Sequence, residues 1–230
     1  MEYVALREDF MGSALGTVYV VDDDDGIRRA LARVLDAAGF RPLPFGSAAE
    51  FLAADDPTVT GCIVLDVSLP DFDGLHVQQR LSETGRERPI VFISAFASIP
   101  ISVRAMRAGA VTFLSKPVPE RELIPAVFEA IALDRRWRRD REERVQARVR
   151  LDSLTPRERE VMEHIIAGLL NKQIAAALGT VEQTVKVHRA RVMKKMGARS
   201  VAHLVRVAAV ATSRARRTPV YDSPSDDCAL

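Results

Sequence analysis

The chain has little of what several common protein classes require. Its 230 residues include only two cysteines, Cys62 and Cys228, which excludes a framework of several disulfides or a cysteine-rich metal cluster. No run approaches the roughly 18 uninterrupted apolar residues of a membrane-spanning helix, so no membrane association is predicted. The opening segment MEYVALREDF contains acidic residues and no apolar stretch, which disfavours a secretory signal peptide. We therefore expect a cytoplasmic protein.

Net charge is also nearly absent, because 33 basic residues offset 31 acidic ones and leave a formal charge of +2. The two parts of the chain nevertheless differ strongly. Residues 1–133 hold 12 Lys and Arg against 19 Asp and Glu, a net −7, whereas residues 134–230 hold 21 against 12, a net +9. An acidic part joined to a basic part favours two functions, and the basic part suits a polyanionic partner.

Short apolar runs alternate with amphipathic stretches over residues 17–133. The runs include VYVV, CIVLD, PIVFIS and VTFLS, and the segments between them carry apolar residues at helical spacing. Five strands that alternate with five helices predict an α/β domain, in which a parallel sheet has helices on both faces. Pro42 and Pro44 lack the N–H groups of an inner strand, so the second strand is expected at an edge, in the order 2-1-3-4-5.

The segment from residue 151 to residue 213 is predicted to form a second, all-α domain. Its pattern indicates four helices in a helix-turn-helix layout, at 156–167, 172–178, 181–196 and from about residue 200. Asn171 is predicted to cap the second helix. Val181 cannot cap the third, so Thr180 is predicted to cap it one residue early.

Three further segments lie outside these two domains. Residues 134–150 contain eight arginines and are interpreted as a solvated helical linker; a short coiled coil through Leu133, Trp137, Val145 and Val149 is the alternative. Residues 1–16 are interpreted as an N-terminal extension, and the hypothesis of a translation start at Met11 stands beside that of a start at Met1. Residues 214–230 mix Arg, Pro, Ser and Asp and are predicted to be disordered.

Polar residues stand at the ends of four predicted strands. Asp22 and Asp23 follow the first strand, Asp66 ends the third, Ser94 ends the fourth, and Lys116 follows the fifth. The carboxyl ends of parallel strands share one edge, and ligands bind there at the topological switch point. Carboxylates that converge repel one another, and Mg²⁺ relieves that repulsion. Carboxylates, a metal, a hydroxyl and an ammonium around Asp66 suit phosphoryl transfer to that aspartate.

Residues 17–130 resemble the receiver domain of a two-component response regulator. The resemblance implies phosphorylation of Asp66 in IVLDVSLPDFDG, magnesium ligation by Asp22, Asp23, Asp66 and the backbone carbonyl of Ser68, and phosphate-binding or switch roles for Ser94, Phe113 and Lys116. It also implies a cis bond between Lys116 and Pro117. The run Ala95-Phe96-Ala97-Ser98 departs from the family pattern in the loop that moves on activation.

The predicted helix 181–196 has two unlike faces. Val181, Val185, Val192 and Met196 form an apolar face, with His188 beside them. The opposite face carries basic and small residues, namely Gln183, Lys186, Val187, Ala190 and Lys194, flanked by Arg189 and Arg191. Such a helix suits the major groove of DNA, although solvated charged faces are also common on helices that bind nothing.

The segment around this helix resembles the LuxR-type output domain of NarL/FixJ response regulators. The shared motifs are LTPRE, G-x-x-N-K-x-I-A at 168–175 and T-V-K-x-H at 184–188. The resemblance implies that Lys186 and Val187 enter the major groove and that Lys172, His188 and Arg189 lie near the DNA backbone. It implies a dimerisation helix that uses Val201, Leu204, Val205 and Ala208. Ala190 stands where some relatives carry a base-contacting basic residue, so the resemblance does not imply that this chain binds the DNA sequence of those relatives.

The order of receiver, arginine-rich linker and LuxR-type domain most resembles the FixJ-like subgroup. This implies a DNA-binding transcriptional response regulator that a sensor histidine kinase phosphorylates on Asp66. A homodimer would then bind near-palindromic promoter DNA, with RNA polymerase as a further partner. Two alternative roles remain for the arginines of the linker: they contact the DNA backbone, or they dock on the acidic receiver.

Three other functions agree less well with the sequence. A phosphorylation-independent factor, whose receiver is only a dimerisation or ligand module, is disfavoured by the complete set of pocket residues. An enzyme such as an acyl-phosphatase would need a substrate cleft that the sequence does not indicate, so no enzyme is expected. A pure interaction protein would leave the basic part of the chain and the face around Lys186 without a role.

Overall fold

The computed structural model describes residues 15–95 and 98–213. Its described residues form two compact units, one that ends at Arg136 and one that begins at Trp137, with five strands and nine helices in total. None of the helices in these ranges is both long and apolar enough to cross a membrane. The predictions for residues 1–14, for Phe96 and Ala97 of the departing loop, and for the tail from residue 214 lie outside the described residues.

One parallel sheet forms the centre of the first unit. Its strands are β1 (Thr17–Val21), β2 (Arg41–Phe45), β3 (Gly61–Asp66), β4 (Ile90–Ser94) and β5 (Thr112–Ser115). Their order, β2-β1-β3-β4-β5, confirms the predicted fold. Arg41 donates its N–H to Gly16 O at 2.9 Å, toward β1. Since N–H groups alternate along a strand, Pro42 and Pro44 face the open edge, where no ladder donor is needed.

Helices cover both faces of this sheet. They are α1 (Asp25–Ala37), α2 (Ala48–Ala54), α3 (Gly74–Glu83), α4 (Ile99–Arg107) and the beginning of α5 (Glu120–Asp152). Alternate residues of each strand point to opposite faces. Cys62 and Val64 therefore lie in one buried cluster with Leu35 of α1, whereas Ile63 and Leu65 lie in another with residues of α2 and α3. Burial on both faces explains why the strands read as continuous apolar runs.

The 33-residue helix α5 contains all of residues 134–150. In the first unit, Asp134 is buried and accepts a hydrogen bond from Gly61 N at 2.9 Å, and Arg135 donates to Leu15 O at 2.7 Å. Farther along, Val145 and Val149 are exposed. The arginine-rich segment is thus helical, and its first two residues, Asp134 and Arg135, bond to Gly61 and Leu15 within the first unit.

The second unit is wholly helical. The end of α5 is followed by α6 (Pro156–Ile166), α7 (Asn171–Ala177), α8 (Glu182–Lys195) and α9 (Val201–Thr212). Their buried apolar side chains form one core, to which α6 contributes Val161, α7 contributes Ile174, α8 contributes Val185 and Val192, and α9 contributes Leu204. The predicted helix-turn-helix layout is confirmed.

Two predicted helix caps are wrong. The N-cap of α7 is Leu170, whose N–H donates to Gln173 Oε1 at 2.8 Å, so Asn171 is already inside the helix. The N-cap of α8 is Val181, without a side-chain cap. Thr180 N donates to Ala175 O at 3.0 Å and so belongs to the turn that ends α7. Because Val181 precedes the helix in extended backbone, its side chain is 65% exposed rather than part of the apolar face.

Candidate functional site

Three carboxylates converge at the carboxyl edge of the sheet. Asp22 and Asp23 directly follow β1, and Asp66 is the last residue of β3, the strand beside β1. Each of the three offers an oxygen, and these oxygens lie within 4.8 Å of one another. Asp22 and Asp66 are buried, whereas Asp23 is exposed. The sequence-predicted acidic residues are therefore brought together.

The ammonium of Lys116 joins two of these carboxylates. Its Nζ lies 2.6 Å from Asp22 Oδ2 and 2.6 Å from Asp66 Oδ2. Burial by itself would lower the pKa of Lys116, but the hydrogen bonds and charges of Asp22 and Asp66 outweigh it and raise that pKa above its usual value. The bond from Lys116 to Pro117 is cis, as predicted. The two carboxylates thus favour the charged form of the ammonium that lies against the side chain of Asp66.

Asp22 is held by the backbone around it. Its Oδ1 accepts the N–H of Asp24 at 3.0 Å, and its carbonyl accepts a hydrogen bond from Arg28 at 2.6 Å. Burial raises the pKa of Asp22, and its bonds to Lys116 and Asp24 only partly offset that rise. A buried carboxylate kept charged against its desolvation cost is a group that a further cation would stabilise.

The loop after Asp66 is anchored by two aspartates. Ser68 N donates to Asp66 Oδ1 at 3.1 Å, which fixes the carboxylate, and Asp73 caps α3 by accepting the N–H of Leu75 at 3.0 Å. Asp71 accepts the N–H groups of Ala48 and Ala49, at 3.3 and 2.9 Å, at the start of α2. Sequence reasoning missed this tie between the loop and α2, because residues 71 and 48 become neighbours only in the folded chain.

Ser94 and Phe113 lie on the last two strands of the sheet, β4 and β5. Ser94 is the last residue of β4 and is buried, and its carbonyl accepts the N–H of Lys116 at 2.8 Å. Phe113 is on β5 and half-buried, with its ring centroid 6.3 Å from that of Phe92. Both residues therefore lie in the half of the sheet toward β5, Ser94 at the carboxyl end of β4 and Phe113 within β5.

The donor set at this edge fits a hard divalent cation. Carboxylate oxygens are the ligands that Mg²⁺ prefers, and Mg²⁺ is usually held by few carboxylates while it keeps several waters. Asp22, Asp23 and Asp66 supply such oxygens within one small region, and Asp23 remains open to solvent. The acidic pocket is thus consistent with a magnesium site.

A separate candidate surface lies on α8 in the second unit. This helix turns Val185 and Val192 into the core and presents the opposite face to solvent. The exposed residues on that face are those predicted from the sequence: Gln183, Lys186, Val187, Ala190, Arg191 and Lys194. Lys172, in the first turn of α7, is also exposed. His188 and Arg189 are half-buried, and Arg189 donates to Asn171 of α7 at 3.4 Å.

The predicted dimerisation residues of α9 divide into two sets. Leu204 is fully buried and Ala208 is 8% exposed, and both belong to the core of the second unit. Val201 and Val205 are 36% and 39% exposed. A side chain that packs inside its own domain cannot also meet a partner, so the prediction for Leu204 and Ala208 is corrected and only Val201 and Val205 remain available.

Comparison with known protein families agrees with this geometry. Residues 18–128 match the model of the response regulator receiver domain, and residues 152–208 match that of the bacterial regulatory proteins of the luxR family. The two matched ranges contain, respectively, the acidic pocket and the exposed face of α8.

Relatives share both domains with this chain. Nodulation protein W of Bradyrhizobium diazoefficiens is 45% identical over 195 residues, which cover 85% of this chain and 86% of that protein. The transcriptional regulatory protein FixJ of Azorhizobium caulinodans is 39% identical over 194 residues, or 84% of this chain and 92% of its own.

Two solved structures extend the likeness to the fold. The response regulator StyR is 44% identical, with a TM-score of 0.76, over 83% of this chain and 96% of its own. Full-length FixJ from B. japonicum is 38% identical, with a TM-score of 0.54, over 86% and 98%. The pocket, the helix-turn-helix and these matches together establish that the chain belongs to the NarL/FixJ family of DNA-binding response regulators, the transcription regulators of two-component systems.

Proposed function

We propose that Asp66 is the residue phosphorylated in this regulator and that a sensor histidine kinase is the donor. The observation that carries the proposal is the position of Lys116 Nζ, 2.6 Å from both Asp66 and Asp22. In the transfer, an oxygen of Asp66 attacks phosphorus, the phosphorus–nitrogen bond of the donor phosphohistidine breaks, and the imidazole keeps the electron pair. Lys116 neutralises negative charge on the phosphoryl group as it arrives.

Asp22, Asp23 and Asp66, with the carbonyl of Ser68, are the residues proposed to hold Mg²⁺. When bound, the ion offsets the charge of the carboxylates and of the phosphoryl oxygens. The buried position of Asp22 and the raised pKa that burial gives it support this assignment. Ser68 N, at 3.1 Å from Asp66 Oδ1, orients the carboxylate for attack with its other oxygen.

The outer face near α4 and β5 is proposed to form the receiver dimer once Asp66 is phosphorylated. Ser94 and Phe113, as the switch residues, would transmit the change from the pocket. Helix α4 buries little of its surface, and Ile99, Val103 and Met106 are 79%, 41% and 45% exposed. An exposed apolar row of this kind supports a surface that becomes covered in the active homodimer.

DNA binding is proposed to occur through the exposed face of α8, in the major groove of promoter DNA. Two receivers that dimerise bring two copies of α8 to the half-sites of a near-palindrome. Binding of one copy raises the effective concentration of the other at its half-site and hence the affinity of the dimer for DNA. Val201 and Val205 of α9 would meet across the two output domains. RNA polymerase is the further partner proposed at such a promoter, and the cytoplasm is the proposed location.

The proposed domains are a receiver at 17–133, a linker at 134–150 and an output domain at 151–213.

The combined proposal is tested by gel filtration and DNA gel shifts of the full chain, with and without beryllofluoride and Mg²⁺. Activation should raise both the dimer fraction and the affinity for DNA. A dimer fraction and a DNA affinity unchanged by the phosphoryl mimic would favour the phosphorylation-independent rival instead.

A further inference from the structure

Two adjacent residues at the start of α6 make hydrogen bonds on either side of the recognition helix α8, one to the end of α7 before it and one to its last residue. Arg157 bonds to the turn before α8, and Glu158 bonds to its last residue. Both belong to the LTPRE motif, and neither is among the predicted DNA-contacting residues. The receiver pocket and the DNA-facing surface leave these two side chains without a role.

The contact at the end of α7, in the turn before α8, is made by Arg157. Its Nη2 donates to Leu178 O at 2.6 Å, and its Nη1 donates to Glu160 at 2.8 Å. Leu178 is the C-cap of α7, so its carbonyl is one of those that a helix end leaves without an internal partner. Arg157 therefore holds the turn that leads directly into α8.

The contact at the end of α8 is made by Lys195. Its Nζ donates to Glu158 Oε2 at 2.6 Å and to Ser153 O at 3.0 Å. The same carboxylate oxygen accepts the N–H of Thr155 at 2.9 Å, and Thr155 Oγ1 accepts the N–H of Glu158 at 3.3 Å. This reciprocal pair is a capping box, which fixes the side chain of Glu158 to the start of α6.

The Glu158 carboxylate is strongly held as an anion. Its side chain is only 4% exposed, and the hydrogen bond from Lys195, followed by that from Thr155, lowers its pKa from 4.5 to about 2. A buried carboxylate needs its cationic partner, since an uncompensated buried charge is costly. The end of α8 is therefore tied to α6 by an interaction that does not loosen at neutral pH.

We propose that Arg157 and Glu158 are positioning residues that set the axial placement and tilt of α8, and through them the sequence specificity of DNA binding. Apolar packing of Val185 and Val192 against the core is non-directional and tolerates a small slide of the helix. The hydrogen bonds to the turn before α8 and to its last residue are directional and do not tolerate such a slide. Base reading in the major groove requires side chains in fixed register with the base edges.

The inference rests on DNA reading by α8, so its test uses the full-length protein and includes Lys186→Ala. The protein is activated with beryllofluoride and Mg²⁺. The probes are duplexes that the unmutated protein selects from a random-sequence pool and scrambled duplexes of equal composition, all at one salt concentration. Arg157→Met should weaken binding to selected duplexes by about tenfold more than binding to scrambled ones, and Glu158→Gln and Lys195→Met should act in the same direction.

Arg159→Met is the matched control. Arg159 lies on the same helix and is about as exposed, 41% against 37% for Arg157, but it contacts Leu151 O and Asp152 rather than the turn before α8. It should leave the ratio of specific to non-specific affinity unchanged. Lys195→Arg keeps the charge and should restore the ratio of specific to non-specific affinity that Lys195→Met lowers. A loss of general stability would not predict this recovery.

Three results would overturn the inference. An unchanged affinity ratio in Arg157→Met, with Lys186→Ala losing specificity, would refute positioning while leaving DNA reading by α8 intact. An equal loss in Arg159→Met would reduce the effect to surface charge. If the protein selects no duplexes at all, DNA reading by α8 fails and positioning fails with it. Lys195→Met leaves Glu158 without its cation and can unfold the domain. The outcome is therefore decided by Glu158→Gln, which keeps the capping box, and by Arg157→Met, which changes a partly exposed side chain.

Discussion

Replacement of Asp66 by asparagine tests separately whether Asp66 is phosphorylated and how much its charge contributes to the stability of the fold. The substitution keeps the shape of the side chain and removes one charge. At an effective dielectric constant of about 20, the attraction between Asp66 and Lys116 Nζ across 2.6 Å is about 6 kcal/mol. The repulsion between Asp66 and Asp22, whose oxygens lie within 4.8 Å, is at least about 3 kcal/mol, and Asp23 adds a smaller, solvent-screened repulsion. The repulsion relieved therefore offsets about half or more of the attraction lost, which leaves a net cost of at most about 3 kcal/mol.

The expected result is complete loss of phosphorylation with a folded protein. Intact-mass spectrometry after incubation with acetyl phosphate and Mg²⁺ should show one added phosphoryl group on the unmutated chain and none on Asp66→Asn. Denaturant unfolding should show a free energy of unfolding lowered by no more than about 3 kcal/mol. Labelling of Asp66→Asn at full stoichiometry would refute the site, and a stability loss near the full 6 kcal/mol would refute the charge balance.

Asp73→Asn is the matched control for that experiment. Asp73 lies in the same loop and loses the same charge, but it contacts Leu75 N at the start of α3 rather than Lys116. Asparagine is as good an N-cap as aspartate, so the helix keeps its cap. Asp73→Asn should be labelled as completely as the unmutated protein.

Three further predictions concern the output domain. Lys186→Ala should weaken binding to selected duplexes by roughly 1–3 kcal/mol in a gel shift if Lys186 reads a base, and an equal loss on scrambled duplexes would make it a phosphate contact. Because the folded pKa of Glu158 is about 2 against 4.5, its contribution to the free energy of unfolding is complete above pH 4.5 and is lost as the pH falls toward 2. Glu158→Gln should remove that part of the acid sensitivity, measured by circular dichroism, and equal sensitivity in both proteins would contradict it. Leu204→Ala should cost about 2–5 kcal/mol of stability, whereas Val205→Ser should change stability by about 0.5 kcal/mol or less and weaken DNA binding as a dimer; the reverse pattern would restore Leu204 to the interface.

Local patterns predicted the architecture because they are imposed by short-range chemistry. Continuous apolar runs are what strands buried on both faces require, and prolines at alternate positions can lie only where no ladder donor is needed. The same reasoning brought Asp22 and Asp66 together, because strand order alone decides which strand ends are neighbours. Thr180 was misassigned because its N–H bonds back to Ala175, a turn geometry that residue identity does not reveal.

The sequence alone determined the fold class, the acidic pocket and the basic recognition helix. It did so through its scarcity of cysteines and long apolar runs, its split of charge and the residues at the strand ends. Only the tertiary structure decided which apolar residues of α9 face the core, since a helix with apolar residues on more than one side does not reveal which side is buried. It alone placed Asp71 against α2, Arg157 against the turn before α8, and Glu158 against the last residue of α8. These ties join residues 21 to 37 positions apart, and such contacts depend on how elements pack, not on any pattern within one element.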